Sequence, residues 1–340
     1  MRKYTGAASS FGGKGFWLEH NLLRSFKTLV SAVAASIIAL VLGGCEPAAE
    51  ETAGLGGCWV LDGSQGVLVL LSKDGDVETV VDNFGDADYM AAEAQTATLW
   101  VCDSDAARLV KISNSGQKEL YVSGFVRPEA VAVDSDSGDV YLADAGALEV
   151  VALDSDGDTL WRSGLDSPPY ALALAGGDAR VVLVLTLTGN MGEFHVLGLD
   201  PADGATVFDL VLEGGYYSLS ADPDADCFWL STGDFLQKRS AEGSLLLTVE
   251  GLGSPRVAGA MGDGCWVFDA AGMDLLFVDA GGDVSAEVED LPGTPELSTL
   301  QDKVWLSVRE ADLVALYDST GEREVRVSTI LDPSPLVAVR

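Results

Sequence analysis

The sequence predicts an all-β chain: a seven-bladed β-propeller of four-stranded blades, its ring closed by the C-terminal strand. Three observations predict it. An aromatic-apolar segment recurs at a near-constant step, short apolar runs alternate with Asp- and Gly-rich turns, and no helical period competes after residue 50. The recurring segment reads Cys58-Trp59-Val60-Leu61-Asp62, Leu99-Trp100-Val101-Cys102-Asp103 and Val140-Tyr141-Leu142-Ala143-Asp144. It returns at Val182–Leu185, Phe228–Ser231, Cys265–Asp269 and Val304–Ser307. Steps between the central residues, taking Leu183 for the fourth, are 41, 41, 42, 46, 37 and 39. A period near 40 built from strands is the signature of propeller blades. The long fourth repeat leaves counts of six or eight compatible with the pattern.

The first 44 residues read as an address. Arg2, Lys3, Lys14, Arg24 and Lys27 face one acid, Glu19, and Thr28 to Gly44 run without a charge. A positive start, an apolar run and small residues at its end describe a signal peptide. The run has 17 residues, at the lower limit for a spanning helix, so a membrane anchor is the competing reading. Leu42-Gly43-Gly44-Cys45 resembles a bacterial lipobox. The resemblance implies cleavage before Cys45 and lipidation of its thiol. Residues 45–56 then form a flexible tether, and residues 57–340 the propeller. The implied location is a bacterial membrane, with the domain exported and facing the periplasm or the cell exterior.

Blade 3 shows the repeat most clearly. Strands are expected at Ala130–Val133, Val140–Ala143, Leu148–Leu153 and Thr159–Arg162, separated by Asp/Gly turns. Pro128-Glu129-Ala130-Val131-Ala132-Val133-Asp134 through Val140-Tyr141-Leu142-Ala143-Asp144 resembles the NHL repeat family. The resemblance covers residues 58–340 and is sharpest in blades 2 and 3. Blades 4, 5 and 7 lack the closing Asp, and the family's Asn-Arg-Val survives only as Ala107-Arg108-Leu109. It implies architecture and leaves function open. The first repeat starts at its second strand, whereas the last runs on into Pro335-Leu336-Val337-Ala338-Val339. That segment matches a first strand and is expected to complete blade 1, removing the open edge.

In NHL-like propellers the first strands line the central channel. Read in register, their opening residues are Tyr89, Glu129, Tyr170, Tyr217, Arg256, Glu296 and Leu336. These form the candidate binding ring at one mouth, and packing of the channel rim is the alternative role. The loops between second and third strands share that face. They supply Asp62, Asp103, Asp105, Asp144, Asn190, Asp234, Asp269 and Glu310, a group expected to attract cations or a basic partner. The second-strand aromatics, Trp59, Trp100, Tyr141, Trp229, Trp266 and Trp305, are expected to pack between blades.

Composition narrows the function. Twenty basic against 53 acidic residues give a net charge of −33, which excludes nucleic acid as a partner. Two His leave little for a histidine-based metal site, and His195 reads as a partly exposed third-strand residue. Asp134-Ser-Asp136, Asp154-Ser-Asp156 and Asp222-Pro-Asp224 have calcium-loop spacing but lack the Glu of an EF-hand. They are expected to be turns, with calcium the one candidate ion and no cofactor otherwise. Cys58, Cys102, Cys227 and Cys265 lie in or beside second strands and are expected to be buried thiols rather than disulfides. No phosphate loop or nucleophile elbow is present. The expectation is a monomeric, lipid-anchored envelope scaffold, more a binder than an enzyme. Its partner would be an envelope protein or a small extracellular ligand. The alternative is a metal-dependent propeller hydrolase or lyase acting in the channel.

Overall fold

The computed structural model describes residues 56–339, apart from 85–86, 94–95, 178–179, 188–192, 214–217, 223, 232–234 and 301–302. The leader, Cys45 and most of the tether lie outside the described residues. No described helix is long and apolar enough to cross a membrane.

The described residues form 28 strands in seven antiparallel sheets of four. Blade 1 holds β1 (Cys58–Asp62), β2 (Val67–Leu71) and β3 (Val77–Val81). Blade 2 is β4 (Ala87–Ala92), β5 (Leu99–Asp103), β6 (Arg108–Ile112) and β7 (Lys118–Ser123). Blade 3 is β8 (Pro128–Val133), β9 (Val140–Asp144), β10 (Glu149–Leu153) and β11 (Thr159–Gly164). Blade 4 is β12 (Pro169–Ala175), β13 (Val181–Leu187), β14 (Glu193–Leu199) and β15 (Thr206–Glu213). Blade 5 is β16 (Ser218–Ala221), β17 (Cys227–Ser231), β18 (Leu236–Ser240) and β19 (Leu245–Val249). Blade 6 is β20 (Pro255–Met261), β21 (Gly264–Asp269), β22 (Asp274–Val278) and β23 (Val284–Val288). Blade 7 is β24 (Pro295–Leu300), β25 (Lys303–Val308), β26 (Leu313–Asp318) and β27 (Arg323–Val327). The last strand, β28 (Pro333–Ala338), crosses to blade 1 and pairs antiparallel with β1, as the sequence predicts. The ring therefore has seven blades.

The second strand of each blade is buried on both faces, which its continuous apolar run requires. Its aromatic residue packs onto the next blade. Trp59 meets Leu99 and Val101 of blade 2, and Trp305 meets Val60 and Val69 of blade 1. Seven such clusters, one per blade interface, make up the core. The five Trp and Tyr141 are at most 1% exposed. Burying such a ring removes about 150–250 Å² from water, worth roughly 4–6 kcal/mol at about 25 cal/mol per Å².

A second repeated device joins the blades at their outer edge. Each turn between third and fourth strands opens on Ser or Asp: Ser72, Ser113, Asp154, Asp200, Ser240, Asp279 and Asp318. In Asp154 and Asp279 the carboxylate accepts two backbone N–H bonds at 2.8–3.0 Å. A positive-φ glycine follows three residues on, or four in blade 4. That glycine lies on the outer strand of the preceding blade. A Cβ on Gly116 would meet Thr79 Cγ2 at 2.8 Å, and one on Gly75 would meet Val325 Cγ1 at 2.6 Å, across the closure. Only glycine supplies both the conformation and the clearance.

The inner strands of blades 5, 6 and 7 and of the closing strand are laced by side chains. Ser218 Oγ accepts from Val257 N at 2.7 Å, and Ser220 Oγ accepts from Ala260 N at 2.8 Å. Thr299 Oγ1 donates to Ala260 O at 2.8 Å, and Ser334 Oγ donates to Glu296 Oε1 at 2.6 Å. Inner strands of neighbouring blades share no backbone ladder. These bonds satisfy groups that would otherwise face each other unpaired.

Candidate functional site

Two faces follow from the topology. One carries the blade-to-blade crossovers, the second-to-third-strand loops and the openings of the inner strands. The other carries the turns between first and second and between third and fourth strands.

The crossover face holds the candidate ring, with a corrected register. Ladder pairing sets Ala87, Pro128, Ser218, Pro255, Pro295 and Pro333 opposite the last residues of the second strands, and Pro169 opposite Thr186, the last but one of β13. The residues one step on are Asp88, Glu129, Tyr170, Leu219, Arg256, Glu296 and Ser334. Glu129, Tyr170, Arg256 and Glu296 therefore hold the expected register. Tyr89 is one residue further along, past a bulge between Ala87 and Tyr89 that blades 3 and 4 share after Pro128 and Pro169. Leu336 is two further along past a similar irregularity, and is buried at the interface of blades 7 and 1. Tyr217 lies outside the described residues.

The ring members differ in what they present. Tyr89, Arg256 and Glu296 are exposed. Glu129 is half-buried and pairs with Arg127 at 2.8 Å. Glu296 accepts the Ser334 hydroxyl. Tyr170 turns partly into the interface of blades 4 and 5, its ring edge-on to Phe194 with centroids 6.4 Å apart.

The acids beside the mouth are largely engaged in holding loops. Asp144 is fully buried, and its carboxylate accepts from Val126 N, Arg127 N, Gly146 N and Ala147 N at 2.7–3.1 Å. It fastens its own loop to the incoming crossover. Asp62 accepts from Ser64, Gln65 and Leu331 N, and Asp269 accepts from Gly253 N and Ala271 N. Burial pushes the Asp62 carboxyl up, but those hydrogen bonds outweigh it and hold it below the usual carboxylate value. Asp103 holds Ala106 N and the Arg108 guanidinium. Sequence reasoning took these groups as a cation-attracting rim. Of that set, Asp105 and Glu310 remain exposed, while Asn190 and Asp234 lie outside the described residues.

What marks this face is apolar. Of the exposed large apolar and aromatic side chains among the described residues, nine lie on outer strands. The other five are Tyr89, Val126, Leu148, Leu187 and Leu331, all on the crossover face. None lies in the turns of the opposite face. There the described turn residues carry nineteen acidic side chains against two basic ones, Lys73 and Arg180. The three calcium-like segments belong to that face and close as Asx turns: Asp134, Asp154 and Asp222 each accept the N–H two residues on. Arg180, only 14% exposed, lays its guanidinium against Asp134 and Asp136 of blade 3, with Asp224 of blade 5 at 3.9 Å. A protein cation thus occupies the position between the first and third of these turns. No described group of three or more His, Cys, Asp or Glu is arranged to hold a metal ion.

The remaining sequence candidates are placed as follows. Cys58, Cys102, Cys227 and Cys265 are buried thiols, with no disulfide among them. Burial pushes the Cys227 thiol up to about 11, and the Cys58 and Cys265 thiols well above their ordinary value. His195 is partly exposed on a third strand, as expected, and its Nδ1 lies 2.7 Å from Asp209 Oδ1.

No family model matches the chain, and no curated protein matches it. Solved structures do. The chain is similar to a functionally unknown protein from Desulfotomaculum acetoxidans, with TM-score 0.65 and 12% identity over 84% of this chain and 99% of that one. It is similar to virginiamycin B lyase from Staphylococcus aureus, with TM-score 0.56 and 15% identity over 71% and 83%. It is also similar to BamB from Moraxella catarrhalis, with TM-score 0.50 and 18% identity over 72% and 77%. At these identities the likeness shows the β-propeller fold alone, and a propeller serves binding and enzymatic roles alike.

Proposed function

We propose that this chain is an exported envelope lipoprotein, lipid-anchored through Cys45, whose NHL-like propeller is a non-enzymatic binding or assembly scaffold. The crossover face is the working surface, and its partner is an envelope protein or a small extracellular ligand. The observation that carries this reading is the division between the faces. Exposed apolar side chains that do not belong to outer strands gather on one face, while the other is densely acidic. An apolar set rimmed by polar groups is what a protein partner buries, and dense like charge repels non-specific contact. The lipobox-like Leu42-Gly43-Gly44-Cys45 and the short tether support the anchored location.

The test is cross-linking of the tagged full-length protein in its native envelope. A Tyr89→Ala, Val126→Asp, Leu187→Asp variant loses the captured partner, whereas an Asp279→Ala, Asp283→Ala variant on the other face retains it. Equal capture by both variants refutes the assignment of the face. Cys45→Ser abolishes incorporation of labelled fatty acid if the anchor is as proposed. The alternative, a metal-dependent hydrolase or lyase, is decided by elemental analysis: a stoichiometric divalent ion in the purified protein replaces the scaffold reading.

A further inference from the structure

A pocket of about 80 Å³ opens on the crossover face where blades 3 and 4 meet, away from the inner strands. Leu165 and Ser167 of the crossover, Thr186 of β13, His195 and Leu197 of β14 and Asp209 of β15 line it, with Asp166 at its edge. The apolar interface below it, built from Val182, Val184, Leu197 and Leu199, ends here in polar side chains. Ladder pairing sets Thr186 directly opposite His195, and Leu197 opposite Asp209. His195 and Asp209 are therefore diagonal neighbours on one face of the sheet, which brings their side chains into contact.

We propose that this pocket is a subsite for a neutral hydroxyl-bearing ligand of the polyol or saccharide class. The site goes beyond the scaffold reading and does not rest on it. Asp209 in its ionised form only accepts, so Nδ1 of His195 carries the proton of their 2.7 Å bond. In the neutral ring that leaves Nε2 as an acceptor with no partner among the described residues. Thr186 is 3% exposed and Ser167 8% exposed, and neither hydroxyl has a hydrogen-bond partner among the described residues. None of the three is among the buried polar atoms cut off from both solvent and partner, so their free hydrogen-bonding capacity is turned to the cavity they line, where water or a ligand hydroxyl can meet it.

The chemistry selects the class. Asp166 and Asp209 at the pocket, in a chain of net charge −33, disfavour an anion. No described metal-binding trio stands here. A ligand hydroxyl both donates, to Nε2 and the Asp209 carboxylate, and accepts, from Ser167 and Thr186. A cavity of about 80 Å³ admits a hydroxymethyl group or a vicinal diol while the rest of the ligand stays outside. Leu165 and Leu197 supply an apolar wall for the C–H face of such a group.

The test is NMR on the full-length, ¹⁵N-labelled protein. Its two histidines are His20 and His195, so His195→Gln assigns the ring signals. The probes are glycerol, D-glucose, D-galactose and N-acetyl-D-glucosamine, with acetate as the anionic comparison. At least one neutral probe shifts the His195 Nε2 signal saturably, and Thr186→Val weakens that binding about tenfold. Ser167→Ala gives the same reading should the Thr186 variant fail to fold. No saturable shift with any neutral probe, a shift with acetate alone, or a shift unchanged by both substitutions overturns the proposal.

Discussion

Gly157, in the turn between the third and fourth strands of blade 3, offers a measurable test of how the blades are locked. Its φ is +84°, and an Ala there costs about 1–2 kcal/mol for the left-handed backbone alone. The new Cβ would also lie 2.7 Å from Val122 Cγ2 and 2.8 Å from Leu120 Cδ2 on the outer strand of blade 2. Leu120 can rotate away, but Val122 is β-branched and stiff at χ1. The outer strand must therefore shift, and overpacking of this kind costs about 1–3 kcal/mol. The expected loss for Gly157→Ala is about 3 kcal/mol, read from equilibrium urea unfolding followed by Trp fluorescence. Gly164→Ala is the control: nothing lies within 4 Å of its Cβ position and its φ is ordinary. It should be neutral or gain up to about 1 kcal/mol. Gly157→Asn separates the two costs, since Asn tolerates the left-handed region and recovers the backbone share of about 1 kcal/mol. If Gly157→Ala stays within about 0.5 kcal/mol of the parent, the range of an ordinary surface change, the turn does not lock the blades and the reasoning fails.

Three further outcomes follow from the same geometry. Asp144→Ala strands four backbone N–H groups that its buried carboxylate satisfies. It should cost about 2–4 kcal/mol, with Asp144→Asn intermediate; a thermal melt by circular dichroism reads both. The Asp62 carboxyl in the folded protein titrates below the ordinary aspartate value of 3.8. Its stabilisation is therefore present above that value and lost as pH falls through the lower folded one. The urea midpoint should drop on acidification below 3.8, and less steeply in Asp62→Asn. The thiols of Cys58, Cys102, Cys227 and Cys265 should be inert to a thiol reagent at pH 8 in the folded protein and should all react once it is unfolded without reductant. Missing thiols after unfolding would show disulfides instead.

The second strands were legible because burial on both faces demands an unbroken apolar run. Trp59, Trp100 and Tyr141 mark it without ambiguity. Blade count and closure followed from the same signal, and Leu336-Val337-Ala338 read correctly as the missing inner strand. The inner-strand register was legible only in part. Blades 2, 3 and 4 share a bulge after the first residue of the inner strand, but β8 and β12 open on Pro while β4 opens on Ala87, so no residue type marks its start and Tyr89 reads one place late. In β28 the second of two prolines, Pro335, reads as the opening one in place of Pro333. The acids of the mouth were legible as charges but not as loop fasteners, since sequence does not show the four N–H groups that Asp144 holds. One signal was present and unused. Ser or Asp with Gly three or four residues later, from Ser72/Gly75 to Asp318/Gly321, marks every blade, including blade 4, where the aromatic is absent. The pocket of Thr186, His195 and Asp209 was not legible. It depends on the pairing of β13, β14 and β15, and Thr188-Gly189-Asn190-Met191-Gly192 carries no short hairpin signature that would set that register.

Because β28 completes the sheet that begins with β1, the first blade is the last to be finished. Strands β1 to β3 must wait, their inner neighbour absent, until some 250 residues more have been made, a contact of high sequence separation. The ring locks only when Leu336 reaches Val60. Completion of the fold is thereby timed to arrival of the chain's final strand. A polypeptide arranged this way keeps its ring open for nearly the whole of its synthesis.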